Sequence, residues 1–127
     1  MVVDTSALIA ILLQEEDART YADAIAAAAT AALSAASYVE LAIVSLSRGV
    51  RGRAELDATL ADAAIEIVPV TLDQARIAAG AYERYGKGRH PAALNFGDCF
   101  AYALAQSRGE PLLFKGTDFG LTDVSSV

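Results

Sequence analysis

Met1-Val2-Val3-Asp4-Thr5-Ser6-Ala7-Leu8-Ile9-Ala10-Ile11-Leu12-Leu13 is an apolar run interrupted by one carboxylate. Val2-Val3 is a short β-branched pair and reads as a buried strand, Thr5 or Ser6 is a good helix N-cap, and an apolar helical stretch follows. Asp4 therefore falls where a strand hands over to a helix. In α/β proteins the carboxyl ends of parallel strands are where ligands and catalytic groups gather. An unpaired carboxylate among Val, Leu and Ile would cost several kcal/mol, so Asp4 needs a partner.

Working outward, Asp17 is a candidate cap for a helix over 18–28, and Thr30 to Ser34 reads as a short second strand before a polar Ser34–Ser37 start signal. Val39, Ala42, Ile43 and Leu46 repeat at helical spacing, and Arg48-Gly49 closes that helix. A helix over 53–64 precedes Ile65-Glu66-Ile67-Val68-Pro69-Val70, an alternating strand whose Pro69 marks an end or a sheet edge. Thr71-Leu72-Asp73 starts a helix running to about Tyr85, and Gly86-Lys87-Gly88-Arg89-His90-Pro91 is a loop. Asn95-Phe96-Gly97-Asp98 opens a helix to about Gln106, Leu112-Leu113-Phe114 is a strand, and Leu121–Val124 reads as a last edge strand. Helices alternating with short strands give an α/β fold with a parallel sheet covered on both faces.

The chain has 127 residues, of which 54% are apolar, and no low-complexity tract or internal repeat, so one domain over 1–127 is expected. The N-terminal run lacks the basic flank of a secretion signal, and the longest uncharged stretch, Ala24–Val39, is too alanine-rich for a membrane span. A soluble protein with no membrane partner is expected. The single Cys99 excludes an internal disulfide and a multi-cysteine zinc site, in keeping with a reducing, cytoplasmic setting. A net charge of −6 argues against a simple basic nucleic-acid-binding surface. It does not argue against a nuclease whose acids bind cations. The basic groups Arg48, Arg51, Arg53 and Arg84, Lys87, Arg89 are weak hints of anion contact.

Three acids stand alone. Asp4 has no charged neighbour before Glu15, Glu40 is the only charged side chain between Asp23 and Arg48, and Asp98 is the only one between Arg89 and Arg108, with His90 neutral. Each interrupts an apolar element, and Asp118 sits in the glycine-flanked loop Lys115-Gly116-Thr117-Asp118-Phe119-Gly120. One such acid is explained by a cap, as amides and the helix dipole would satisfy Asp98. Four without isolated basic partners are explained more economically by a shared cation. Oxygen ligands without a His or Cys cluster suit Mg²⁺, with Mn²⁺ as substitute. The matching reaction is phosphodiester hydrolysis, which such ions assist by activating water and neutralising charge.

Val2-Val3-Asp4-Thr5-Ser6-Ala7-Leu8, Ser37-Tyr38-Val39-Glu40, the run from Asn95 to Ala105 (Asn-Phe-Gly-Asp-Cys-Phe-Ala-Tyr-Ala-Leu-Ala) and Leu113-Phe114-Lys115-Gly116-Thr117-Asp118-Phe119 together resemble a PIN domain, specifically a VapC-type toxin ribonuclease. The resemblance spans the whole chain. It implies a three-layer fold with strand order 3-2-1-4-5, a Mg²⁺-dependent endoribonuclease leaving a 5′-phosphate and a 3′-hydroxyl, a VapB-like antitoxin partner, and a homodimer. By motif position it makes Asp4 and Asp98 the principal metal ligands and Glu40 and Asp118 the remaining catalytic acids. Thr5, Ser6, Asn95 and Thr117 take supporting positions that orient them. Asp123 is a less secure fifth acid, for which a structural role is favoured.

Two other classes compete. A phosphoryl-transfer enzyme would use Asp4 with Lys115, yet Ser6 occupies the position where a haloacid-dehalogenase-like phosphatase carries its second acid, and no acid adjoins Asp4 as in a receiver domain. A noncatalytic module would use an apolar groove to hold a partner helix. Cys99 reads as a small buried apolar residue, His90 as incidental, and Tyr38, Tyr82, Tyr85 and Tyr102 as packing residues.

Overall fold

The computed structural model describes residues 1–127. Val2–Val3 (β1), Ala31–Ser34 (β2), Ile65–Val68 (β3) and Leu112–Leu113 (β4) form one parallel sheet in the order β3-β2-β1-β4. Helices Thr5–Leu12 (α1) and Ala18–Ala27 (α2) connect β1 to β2, Ala35–Ser47 (α3) and Arg53–Asp62 (α4) connect β2 to β3, and Leu72–Tyr85 (α5) and Phe96–Arg108 (α6) lead back to β4. β1 lies between β2 and β4, in register Val2↔Ala32 and Val2↔Leu112. β1 and β4 are apolar and buried because both faces of the sheet are covered there, whereas the edge strand β3 carries the exposed Glu66.

The two-residue side-chain period divides the core into two layers. Val2, Ala32 and Leu112 face α5 and α6, where Ala78, Ala81, Tyr85 and the inner side of α6 are buried. Val3, Ala31, Leu33, Ile65 and Leu113 face the other layer, with Leu8, Ile25, Leu41, Leu56 and Leu60 from α1 to α4. Ala101, Ala103 and Ala105 are buried on α6 and let that helix lie close to the sheet.

Strand growth runs outward from β1 to β3, then the chain returns to place β4 on β1's other side. The order thus reverses between β1 and β4, and such a switch point opens a crevice at the strand carboxyl ends. Asp4 lies there as the residue after β1, its N–H donating to the Leu113 carbonyl at 2.8 Å.

Several elements differ from the sequence reading. The fifth strand is absent: Leu121–Val124 pairs with no strand, and Phe119–Leu121 is instead a 3-10 turn that tucks Phe119 against Phe114, ring centroids 5.2 Å apart. All that remains of the fifth strand is one parallel bridge from Ser126 to Leu112, so the order is 3-2-1-4 and not 3-2-1-4-5. Pro69 does end β3, which is an edge strand. The cap of α1 is Asp4, and not Thr5 or Ser6, since its carboxylate reaches the Ser6 N–H. Asp17 stands at the N-cap position of α2 but makes no capping bond. In α3 the residues turned inward are Ser37, Leu41 and Ser45, which leaves Val39, Ile43 and Leu46 exposed.

Candidate active site

Four elements deliver the four acids. Asp4 is 5% exposed, and its Oδ2 accepts from the Ser6 N–H (2.9 Å) and the Ser6 hydroxyl (2.6 Å). Burial raises its pKa, and the Ser6 and Thr5 contacts oppose that rise. Glu40 reaches in from α3, which begins with no intervening loop after β2 because Ser34 is both the last strand residue and the N-cap. Burial raises the Glu40 pKa, and the Asp4 charge adds to it.

Asp98 occupies the third position of α6 in a reciprocal capping box. Its Oδ2 accepts from the Asn95 N–H at 2.8 Å, while the Asp98 N–H donates to Asn95 Oδ1 at 2.9 Å. Burial lifts its pKa to about 6 against the Asn95 bond, with further upward contributions from Asp4, Glu40 and Asp118. Those contributions place four acids, distant in sequence, in one electrostatic field. Asp118 stands exposed in the loop after β4.

None of the four belongs to an ion pair. Arg19, Arg76, Arg84, Arg108 and Lys115 bridge instead to Asp23, Asp73, Asp123, Glu66, Glu110, Glu15 and Asp17. Like charges in a partly buried field, with hard oxygen donors and no basic partner, fit a divalent cation. No three His, Cys, Asp or Glu side chains converge tightly enough to enclose an ion unaided. The protein thus offers separate carboxylates, and an ion held there would keep several of its waters.

The supporting residues divide. Ser6 links two acid-bearing segments, since its hydroxyl also accepts the Lys115 N–H at 3.0 Å. Thr5 donates to the Ser37 carbonyl at 3.4 Å and ties the start of α1 to α3. Asn95 caps α6. Thr117 is exposed and makes no side-chain hydrogen bond.

Asp123 lies in a separate network, accepting from the Tyr102 hydroxyl at 2.6 Å and pairing with Arg84 at 3.4 Å. The Tyr102 bond holds its pKa down. Its role is to fasten the C-terminal segment to α5 and α6. Cys99 is buried, and burial and then Asp98 push its thiol up to about 11, so it is no nucleophile at neutral pH. His90 Nδ1 accepts from the Ala92 N–H, and its ring meets Tyr85 edge-on at 5.1 Å.

Two roles, of residues the motifs contain, escaped the sequence reading. Lys115 pairs with Glu15 and, at 2.9 Å, with Asp17, so the α1–α2 turn clamps the loop carrying Asp118. This engagement also removes Lys115 as the phosphate-binding lysine of a phosphoryl-transfer enzyme. Gly97 packs directly beneath the Glu40 carboxylate: a Cβ there would overlap Oε2 and lie 3.0 Å from Cδ. A glycine in the first turn of a helix was the available signal, because glycine is a poor helix former.

The PIN domain family model matches residues 1–124. The chain is 56% identical over 128 residues to a ribonuclease VapC of Mycolicibacterium smegmatis, covering all of this chain and 99% of that protein. It is 52% identical over 128 residues to ribonuclease VapC30 of Mycobacterium tuberculosis, covering all of this chain and 98% of the relative. Among solved structures, the Mycobacterium tuberculosis toxin VapC20, described as cleaving the sarcin-ricin loop, superposes with a TM-score of 0.77 at 20% identity, covering 99% of this chain and 97% of that one. A toxin-antitoxin complex from Klebsiella pneumoniae gives 0.74 at 19% identity over 99% and 95% of the two chains. These two show the fold. With the family model spanning nearly the whole chain, and ribonucleases more than half identical to it from end to end, the chain belongs to the PIN-domain family, as a VapC-type toxin endoribonuclease.

Proposed function

We propose that residues 1–127 work as one PIN domain that hydrolyses RNA phosphodiester bonds with Mg²⁺, for which Mn²⁺ can substitute, at Asp4, Glu40, Asp98 and Asp118. The observation that carries this reading is the shared field of four acids from four elements, none of them paired with a base. Asp4 and Asp98 would hold the ion, and it would supply Lewis-acid polarisation of the phosphate and a more acidic water.

The chain's own residues set the geometry. Ser6 fixes Asp4 by bonding Oδ2 alone, which leaves Oδ1 for a ligand. The Asn95 cap holds one Asp98 oxygen in the same way. Glu40, with its pKa raised, is suited to positioning the attacking water, and Asp118, from the exposed loop after β4, would share that task. In-line attack at phosphorus would leave a 5′-phosphate and a 3′-hydroxyl.

A VapB-like antitoxin is the expected partner in a cytoplasmic setting. A hollow of about 370 Å³ beside the acids, lined by Val39, Glu40, Ile43, Phe96, Gly97 and Phe100, has the chemistry to seat an apolar helical segment whose basic side chain neutralises Glu40. Self-association into a homodimer belongs to the same reading. A second hollow, between α5 and α6 and lined by Ala79, Tyr82, Phe96 and Phe100, offers apolar surface for it. No helix is long and apolar enough to cross a membrane.

Cleavage of a defined RNA by the purified protein, with Mg²⁺ and then with excess EDTA, tests the proposal. Asp98→Asn, which keeps the size of the capping side chain, should lower the rate by at least about 100-fold, beyond what loss of an outer-shell contact costs. Wild-type rates from this variant, or EDTA-resistant cleavage, would remove the assignment.

A further inference from the structure

We propose that Gly97 is a positioning residue, whose missing side chain is the seat on which the Glu40 carboxylate rests beside Asp98. The inference depends on the reading above, in which these acids act together on a divalent ion. Gly97 is in the first turn of α6, and its φ is not in the left-handed region, so no backbone requirement calls for glycine. Alanine is the better helix former at such a position.

What a methyl group would meet is specific. The built Cβ overlaps Glu40 Oε2, lies 3.0 Å from Glu40 Cδ, and otherwise approaches only Asn95 Oδ1, at 3.4 Å, an ordinary contact. No main-chain atom is obstructed. The whole steric demand falls on the end of one flexible side chain, and Glu40 makes no hydrogen bond that would hold it in place. The helix therefore accepts the methyl group, and the carboxylate moves. The Glu40 charge acts on Asp98, the residue that follows this glycine, so displacing the Glu40 carboxylate alters that field and the coordination the acids offer. In active sites a misplacement of about 1 Å costs as much as 10²-fold.

Gly97→Ala should keep or raise the thermal midpoint while weakening Mn²⁺ binding, measured calorimetrically with the metal alone, by roughly tenfold. RNA cleavage at limiting Mg²⁺ should fall by a similar or larger factor. Two backgrounds show whether the effect passes through Glu40. Gly97→Ala should change nothing further in Glu40→Ala, and Glu40→Asp, one methylene shorter, should restore part of the lost Mn²⁺ affinity in the double variant. Unchanged affinity and cleavage in Gly97→Ala would overturn the inference, as would an undiminished defect in the Glu40→Ala background or a lowered midpoint. If the wild type neither binds Mn²⁺ nor cuts RNA, the metal reading fails on its own account. A crystal structure of Gly97→Ala then decides the seat separately, and an unmoved Glu40 overturns it.

Discussion

Asp98 does two jobs that pull against each other. As a cap it is best ionised, but burial first, and then the charges of Asp4, Glu40 and Asp118, oppose ionisation and raise its pKa to about 6. Its folded-state value is above the ordinary 3.8, so the folded protein binds this proton more tightly than the unfolded chain does. The stability linked to Asp98 is therefore greatest below about pH 4 and declines as pH rises through about 6. Asp17 and Asp123, with lowered pKa values, act in the opposite sense at the acid end. Urea unfolding of wild type against Asp98→Asn, between pH 4 and 7 in EDTA, isolates the Asp98 contribution: the wild type should lose stability relative to the variant across that interval. Saturating Mg²⁺ should abolish the loss, and Mg²⁺ affinity should strengthen over the same pH range, because the ion competes with the proton. Asp4, Glu40 and Asp98 were legible in the sequence because a charge standing alone in an apolar element has few structural uses. Gly97 was not, since its meaning resides in a side chain on another helix.

At the level of elements, the start of α6 and the clamp on the β4 loop matter most. Asn95→Ala removes the capping bond from the Asp98 N–H to Asn95 Oδ1; a loss of about 1 kcal/mol in a denaturation experiment is expected. The main-chain N–H of residue 95 still donates to Asp98 Oδ2, so cleavage should fall only modestly, as the helix start loosens around it. Lys115→Met frees the Asp118 loop from Glu15 and Asp17 but keeps the Lys115 N–H on Ser6. These exposed ion pairs contribute little to stability, so the thermal midpoint should barely move while the Mg²⁺ concentration for half-maximal cleavage rises several-fold. Most elements followed from local pattern: β-branched pairs for β1 and β3, Thr71 and Asn95 as caps, glycine and proline as stops. The expected fifth strand failed because Phe119 must be buried, and the turn that buries it, fastened by Thr122 Oγ1 donating to the Phe119 carbonyl, uses up the residues a strand would need. In α3 the apolar spacing predicted a helix correctly but says nothing of which face turns inward.

For the molecule as a whole, that outward face is the consequential feature. Val39, Ile43, Leu46 and Phe96 are 54%, 59%, 74% and 79% exposed, an apolar surface next to the acids that this chain alone does not cover. Ile43→Ser with Leu46→Ser should leave the unfolding free energy within about 1 kcal/mol of wild type, at about 0.5 kcal/mol for each exposed site. Antitoxin binding, followed by calorimetry with the cognate partner, should weaken at least tenfold; unchanged affinity would move the partner to another face. The sheet carries a further consequence, in time. β1 finds its neighbour β4 across almost the entire chain, Val2 against Leu112, and the loop with Asp118 follows still later. A ribosome that has made most of this protein holds a chain whose central strand lacks one partner and whose acid field is incomplete. The candidate site is thus assembled only once β4 and the loop after it have joined β1.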